Sequence, residues 1–204
     1  MVKSLRRFRA LTTPLFSTTE ATVEDLRGAP DNAKAELVNG KLVLMPPTGI
    51  ELGYASDEIF VSLREYARQT GRGRAVGDNK GFLVDLPHRE SFSPDAAFYS
   101  GKPVGMKFHE GAPTFAAEVR SENNYGPAAE REMAAKRADY FACGAQVVWD
   151  VDLQGDEKSS KIIYVYRADN PEKSTVYRDG DVAEAEPALP GWRFPVSQLD
   201  EQLE

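Results

Sequence analysis

Apolar positions recur along this chain with two different periods, and the changes of period mark its elements. In AELVNGKLVLM two apolar runs flank Asn39-Gly40, a dipeptide that tolerates positive φ. Residues 35–45 therefore predict a β-hairpin with Glu36 on its first strand. From Glu51 to Gln69 the apolar residues Leu52, Ala55, Ile59, Phe60, Leu63, Tyr66 and Ala67 fall at helical spacing, which predicts a core helix closed at Gly71. A short helix is expected earlier, in TVEDLRGAP, where Thr22 can cap, Glu24 and Asp25 suit the first turn, and Gly28 with Pro30 ends it.

Beyond the core helix, RAVGDNKGFLVDLP reads as a loop and a strand around Phe82 to Val84. Asp95 then enters a new strand directly after Pro94, and GKPVGMKFHEGAP forms a Gly/Pro-rich connection. TFAAEVRS is a short, mostly apolar strand suited to a sheet interior. AAEREMAAKRADYFACG is rich in helix formers and ends at Gly144, a natural C′ residue, before the apolar strand AQVVWDVD. Strand, helix and strand from Thr114 to Asp152 form a βαβ unit, which favours parallel pairing. Two further strands follow, in KIIYVYR and STVYRDG, and then an apolar LPGWRF tail. The pattern as a whole is that of an α/β protein.

Length and composition narrow the picture. The 204 residues support one substantial core, with 41% hydrophobic and 28% charged residues. The expected organisation is a flexible basic arm over residues 1–20 and a single domain over residues 21–204. No apolar run approaches a bilayer span, and Thr12, Thr13 and Pro14 interrupt the only segment resembling a signal peptide, so no membrane association and a cytoplasmic location are expected. The single cysteine, Cys143, reads as a small buried filler, and His88 and His109 match no zinc-motif spacing. A net charge of −7 argues against a general nucleic-acid coat. It leaves room for a local basic groove, with Lys3, Arg6, Arg7, Arg9, Arg72 and Arg74 as candidates.

The candidate chemistry lies in carboxylates. Acids at the ends of adjacent central strands can converge on one point, and hard cations such as Mg²⁺ prefer oxygen ligands of this kind. Asp95 and Glu118 fit that placement. Glu118 is the sharper anomaly, because it interrupts FAAEV and a buried carboxylate is costly without a cation or hydrogen bonds. A salt bridge at a sheet edge is the plainer account of Glu118, and the start of a strand after a turn is the plainer account of Asp95. Arg120 lies two residues after Glu118, on the same face of an alternating strand, so the pair reads as (D/E)xK with arginine in the basic place. Glu132, Lys136 and Tyr140 are spaced four apart on the next helix, as in an ordinary surface Glu-Lys pair.

The ordered set ELVNGKLVLMPPTG, SPDAAFY, FAAEVRSENN and K-xxx-Y-xxx-GA-xxx-WDVD resembles the Uma-two family of restriction-endonuclease-like proteins, within the PD-(D/E)xK superfamily. The resemblance runs from about Glu36 to Asp152. It implies a restriction-endonuclease-like core, with a mixed central sheet flanked by helices and an N-terminal β-hairpin. It also implies a Mg²⁺- or Mn²⁺-dependent site that hydrolyses DNA phosphodiesters, with Asp95, Glu118, the Val119 carbonyl and Glu36 around the metal and Lys136 taking the family's helix lysine position. Lys136 and Arg120 would offset negative charge developing on the phosphate. Two positions depart from the family pattern. Leu52 stands at or near a place where members often have histidine, and Glu132 replaces a usual aspartate.

A nuclease fold retained as a non-catalytic binding or assembly module is the competing expectation, supported by the acidic charge balance and the missing histidine. A homodimer is expected from the nuclease fold and from the apolar tail around Leu189, Trp192 and Phe194.

Overall fold

Burial of one helix stripe and of alternate strand residues builds the core. The computed structural model describes residues 20–29, 33–103 and 105–200. The expected basic arm therefore lies outside the described residues apart from residue 20, as does Pro30. Helix α1 (Val23–Arg27) carries a full capping box, in which the Thr22 and Asp25 side chains each serve the other's backbone, and Gly28 follows it. Strands β1 (Ala35–Val38) and β2 (Lys41–Leu44) form the expected hairpin, with Asn39 and Gly40 at φ 51° and 65°. Helix α2 (Ile50–Thr70) buries Ala55, Ile59, Leu63 and Tyr66, and ends at left-handed Gly71.

Two strands appear that the sequence pattern did not assign: β3 (Arg74–Val76), inside the supposed loop, and β5 (Arg89–Phe92), in a stretch given no element. Both are short, and neither shows a clear apolar alternation, so local pattern alone did not distinguish them from turns. Between them lies β4 (Phe82–Leu86), and β6 (Ala96–Tyr99) follows. The Gly/Pro-rich connection contributes a two-residue strand, β7 (His109–Glu110), parallel to β4. Then come β8 (Phe115–Val119), helix α3 (Pro127–Ala142), β9 (Val147–Asp152), β10 (Ile162–Arg167) and β11 (Asn170–Arg178). A small pair, β12 (Val182–Glu184) with β13 (Arg193–Pro195), and a 3₁₀ turn at Val196–Leu199 complete the described chain. No helix among the described residues is long and apolar enough to cross a membrane.

The strands form a six-stranded sheet in the order β11-β10-β9-β8-β6-β3 and a five-stranded sheet in the order β2-β1-β5-β4-β7, with β12 and β13 paired separately. In the larger sheet β8 and β9 are parallel, joined through α3 as the βαβ pattern required, while the other neighbours are antiparallel. The chain passes from the smaller sheet to the larger between β5 and β6, over Ser93, Pro94 and Asp95. Asp95 thus stands at the junction of the two.

Strand alternation divides the larger sheet into two faces. Phe115, Ala117 and Val119 of β8 and Val147, Trp149 and Val151 of β9 join α2 and the tail in one buried cluster. Ala116 and Val148 point the other way, toward Tyr140 of α3 and Phe92 of β5, and Glu118 and Asp150 share their parity.

The tail overturns one motive for self-association. Leu189, Trp192 and Phe194 are buried in the chain's own core, at 0%, 3% and 0% exposure. Trp192 stacks on Trp149 with ring centroids 4.9 Å apart and donates its indole N–H to Ser62 of α2 at 3.0 Å. The apolar tail is the lid of this core and is not left over for a partner. Cys143 is half-buried rather than buried. Trp192→Ala should destabilise the protein by about 3–5 kcal/mol, read from the urea midpoint, because the cavity would open against Trp149 and Phe115.

Candidate functional site

Register explains why the acids meet. β6 pairs with β8 so that Ala96 faces Ala117, and continuing that antiparallel register by one residue sets Asp95 opposite Glu118. In the parallel pair, Glu118 faces Asp150. Asp95, Glu118 and Asp150 therefore form a row across three adjacent strands, on the face turned toward α3. The row opens into a cleft of about 750 Å³, whose other wall is apolar and comes from the hairpin and the start of α2, including Val43, Met45, Pro46 and Leu52. Leu52 thus reaches the cleft as an apolar group.

Each acid in the row meets at least one cation. Lys136 of α3 donates to Glu118 Oε2 at 2.9 Å and pairs with Glu36 Oε1 at the same distance. Tyr140, one turn on, donates its hydroxyl to Glu118 Oε1 at 2.6 Å. Lys136 and Tyr140 thus share a face as their spacing required, yet their partner is on the sheet. Glu132 is exposed on the rim of the cleft.

Glu36 lies where the hairpin predicted, on β1, and its two oxygens meet three donors. Oε1 also accepts the Ser93 N–H at 3.0 Å, and Oε2 accepts Arg89 Nη1 at 2.6 Å. Arg89 in turn donates Nε to Asp139 at 2.8 Å, and His88 meets the other oxygen of Asp139 at 2.7 Å. Glu36 therefore joins Lys136 to a chain of charged groups that runs through Arg89 to Asp139.

Arg120 is on the same face as Glu118, as alternation required, but it serves the next acid. Its guanidinium grips Asp150 through two bonds of 2.7 and 2.9 Å and reaches Glu130 of α3 at 2.6 Å. Arg137 adds a third bond to Asp150 at 3.2 Å while lying 4.0 Å over the Tyr166 ring. Bidentate arginine pairs of this kind fix geometry as well as charge. Arg120 is thus a clamp between β9 and α3.

Asp95 is 6% exposed, with Oδ2 accepting the Val119 N–H at 2.7 Å and Oδ1 accepting Lys34. Lys34, Arg89, Asp139 and Asp150 are the site residues that the sequence reading did not single out. For Asp150 a signal was present, since it interrupts VVWDVD as Glu118 interrupts FAAEV. Lys34 carried none, because its partners Asp95 and Asp78 are distant in the chain.

Electrostatics separates the acids. Burial pushes the Glu36 carboxyl up, but Lys136 and Arg89 outweigh it and hold the group below the ordinary glutamate value of 4.5. Glu118 goes the other way. Burial raises it, Lys136 offsets only part of that, and the charges of Asp95 and Glu36 push it further up. Burial alone would lower the Lys136 ammonium, yet Glu118 and Glu36 hold it well above an ordinary lysine. The Tyr140 hydroxyl is raised by burial and by Glu118, so it remains a donor.

Among the described residues no group of three or more His, Cys, Asp or Glu side chains stands close enough to hold a metal ion. Of the carboxylates that line the cleft, Asp95 and Glu118 stand side by side across the β6–β8 register. That pair fits Mg²⁺ or Mn²⁺, which take oxygen ligands; Mg²⁺ in particular keeps several of its waters and is held through one or two carboxylates. The raised Glu118 is the acid that a cation would relieve most.

Lys136→Met tests the charge balance. Without the ammonium both glutamates should titrate higher than they do in wild type, and an acid whose folded-state value is raised costs stability as pH rises through that window. The variant should lose about 3 kcal/mol at neutral pH, and the deficit should shrink as pH falls toward the ordinary glutamate value, measured by urea unfolding across pH.

With this geometry in hand, comparison with known proteins is informative. The family model that matches spans residues 21–197 and is described as "Uma2: Putative restriction endonuclease". No curated protein matches. Among solved structures, the crystal structure of "a putative nuclease belonging to DUF820" from Anabaena variabilis is similar with a TM-score of 0.66 and 15% identity, covering 87% of this chain and 96% of that one. At that identity the likeness shows the fold, which is the restriction-endonuclease-like α/β architecture expected from the sequence. By the match over nearly all of its described length, the chain belongs to the Uma2 family of restriction-endonuclease-like proteins.

Proposed function

We propose that the protein is a metal-dependent endonuclease that hydrolyses DNA phosphodiester bonds in the cleft above Asp95 and Glu118. One observation carries this reading: two carboxylates from adjacent strands face the same cleft as an anchored lysine, and the charge on Glu118 is incompletely balanced. Family membership and the nuclease fold give the reaction class. Asp95 and Glu118 are the proposed ligands of Mg²⁺ or Mn²⁺, with the Val119 carbonyl beside them. The ion, when bound, would polarise the scissile phosphate and acidify its water.

The chain's own residues have distinct parts in this proposal. The Val119 amide fixes Asp95, and Tyr140 fixes one oxygen of Glu118, so both acids are oriented before substrate arrives. Lys136, held by Glu36, presents a cation within the cleft that offsets charge developing on the phosphate. Arg120 keeps β9 and α3 together through Asp150 and Glu130, and so positions Lys136 without touching substrate.

A second reading is a nuclease fold used as a binding or assembly module. It is favoured by the pairing of each acid in the row with a resident cation, which balances much of the charge without any metal. Calorimetry separates the two, since a module of this kind should show no uptake of Mg²⁺ or Mn²⁺ at millimolar concentration.

The direct test is conversion of supercoiled plasmid to nicked and linear forms with Mg²⁺ or Mn²⁺. Wild type should cut, and Asp95→Ala and Glu118→Ala should each fall by at least about a hundredfold. Equal rates in wild type and Asp95→Ala would overturn the endonuclease reading. Arg120→Ala, by contrast, should lose mainly stability, about 3–5 kcal/mol, because Asp150 would be left buried with a single weaker partner.

A further inference from the structure

Lys34 precedes β1 and is two residues from Glu36, yet it serves a different acid. Its side chain is 12% exposed, and its ammonium lies between Asp95 Oδ1 and Asp78 Oδ1, the latter at 2.7 Å. The other oxygen of Asp95 is taken by the Val119 amide, so Lys34 occupies the one oxygen that the backbone leaves open. An ion bound between Asp95 and Glu118 would have to share that oxygen with the ammonium. Two cations on one carboxylate oxygen repel strongly in a site this sheltered.

Asp78 gives the ammonium somewhere else to go. It lies between β3 and β4, with its side chain 30% exposed, and its Oδ1 is already oriented by the Asn79 N–H at 2.7 Å. Asp95 cannot follow a departing ammonium, because it is tied to β8. The four-carbon lysine stem can pivot between the two acids.

We propose that Lys34 is a tethered counter-cation that holds the Asp95 Oδ1 position in the metal-free protein and withdraws to Asp78 when a divalent cation binds. This rests on the metal-dependent reading above and adds to it a built-in competitor that sets how much ion the site needs. Exchange of one cation for another keeps the acid row compensated in both states, so neither state exposes Asp95 as an unpaired buried charge.

The test is calorimetric titration of Mn²⁺ into the full chain at neutral pH without nucleic acid, for wild type, Lys34→Met and Asp78→Asn. Removing the competitor should tighten Mn²⁺ binding by about tenfold or more, and removing its second seat should weaken binding by about threefold or more. These opposite signs are not expected of residues that only support the fold. Thermal melting with and without Mn²⁺ checks that each variant is folded, and the variant at half-buried Asp78 keeps the test decisive if Lys34→Met folds only with the ion. Unchanged or weaker binding in Lys34→Met, or unchanged or tighter binding in Asp78→Asn, would overturn the competitor role while leaving the metal site standing. Absence of Mn²⁺ binding at millimolar concentration in wild type and Lys34→Met alike would overturn both.

Discussion

Three carboxylates side by side across the middle of a sheet impose a charge that the surrounding elements must balance, and the arrangement of this molecule around its cleft follows from that requirement. A buried carboxylate costs several kcal/mol, of the order of a large part of a domain's net stability, unless cations and donors meet it. The pairing register makes the row unavoidable, since Glu118 faces Asp150 and the β6 register brings Asp95 alongside. Each neighbouring element then supplies an answer. The segment entering the hairpin brings Lys34, α3 brings Lys136 and Arg137, and Arg120 folds back from the end of β8.

The distribution of these cations is uneven, and that unevenness gives the site its chemical character. Asp150 is held by two arginines with three bonds, a rigid and fully matched arrangement. Glu118 shares a single lysine with Glu36, and Glu36 has Arg89 and a backbone amide besides. The shortfall therefore gathers on Glu118, at the centre of the row and beside the cleft. One end of the row acts as framework, and the other retains capacity to engage a further positive charge.

Much of this was legible from sequence, and the reasons differ by residue. Asn39-Gly40 fixed the hairpin, because few dipeptides tolerate two positive φ values in succession. The helical stripe of α2 and the βαβ unit were visible because long apolar periods survive local noise. Glu118 stood out as a charge inside an apolar strand, and the ordered motifs moved attention from a lysine on the strand to Lys136. The partner of Lys136 was not legible, since a Glu-x-x-x-Lys spacing on a helix looks alike whether the lysine turns outward to Glu132 or inward to the sheet. Glu36 was placed on the right strand, but its pairing with Arg89 was not legible, because Arg89 belongs to β5, a strand too short and polar to be recognised. Lys34 and Asp78 meet only through the tertiary fold, and no local pattern reports such a pair.

The packing of Trp192 under Trp149 has a consequence for how the protein comes into being. Trp149 lies on β9 between Val148 and Asp150, so its ring supports the reverse side of the strand that carries one end of the acid row. The residues that seal this support, Leu189 to Leu199, leave the ribosome after every side chain of the cleft has been made. During synthesis the strands around Asp95, Glu118 and Asp150 can pair and α2 can cover part of the hydrophobic side beneath them, but that side is sealed only when Leu189 to Leu199 close over it.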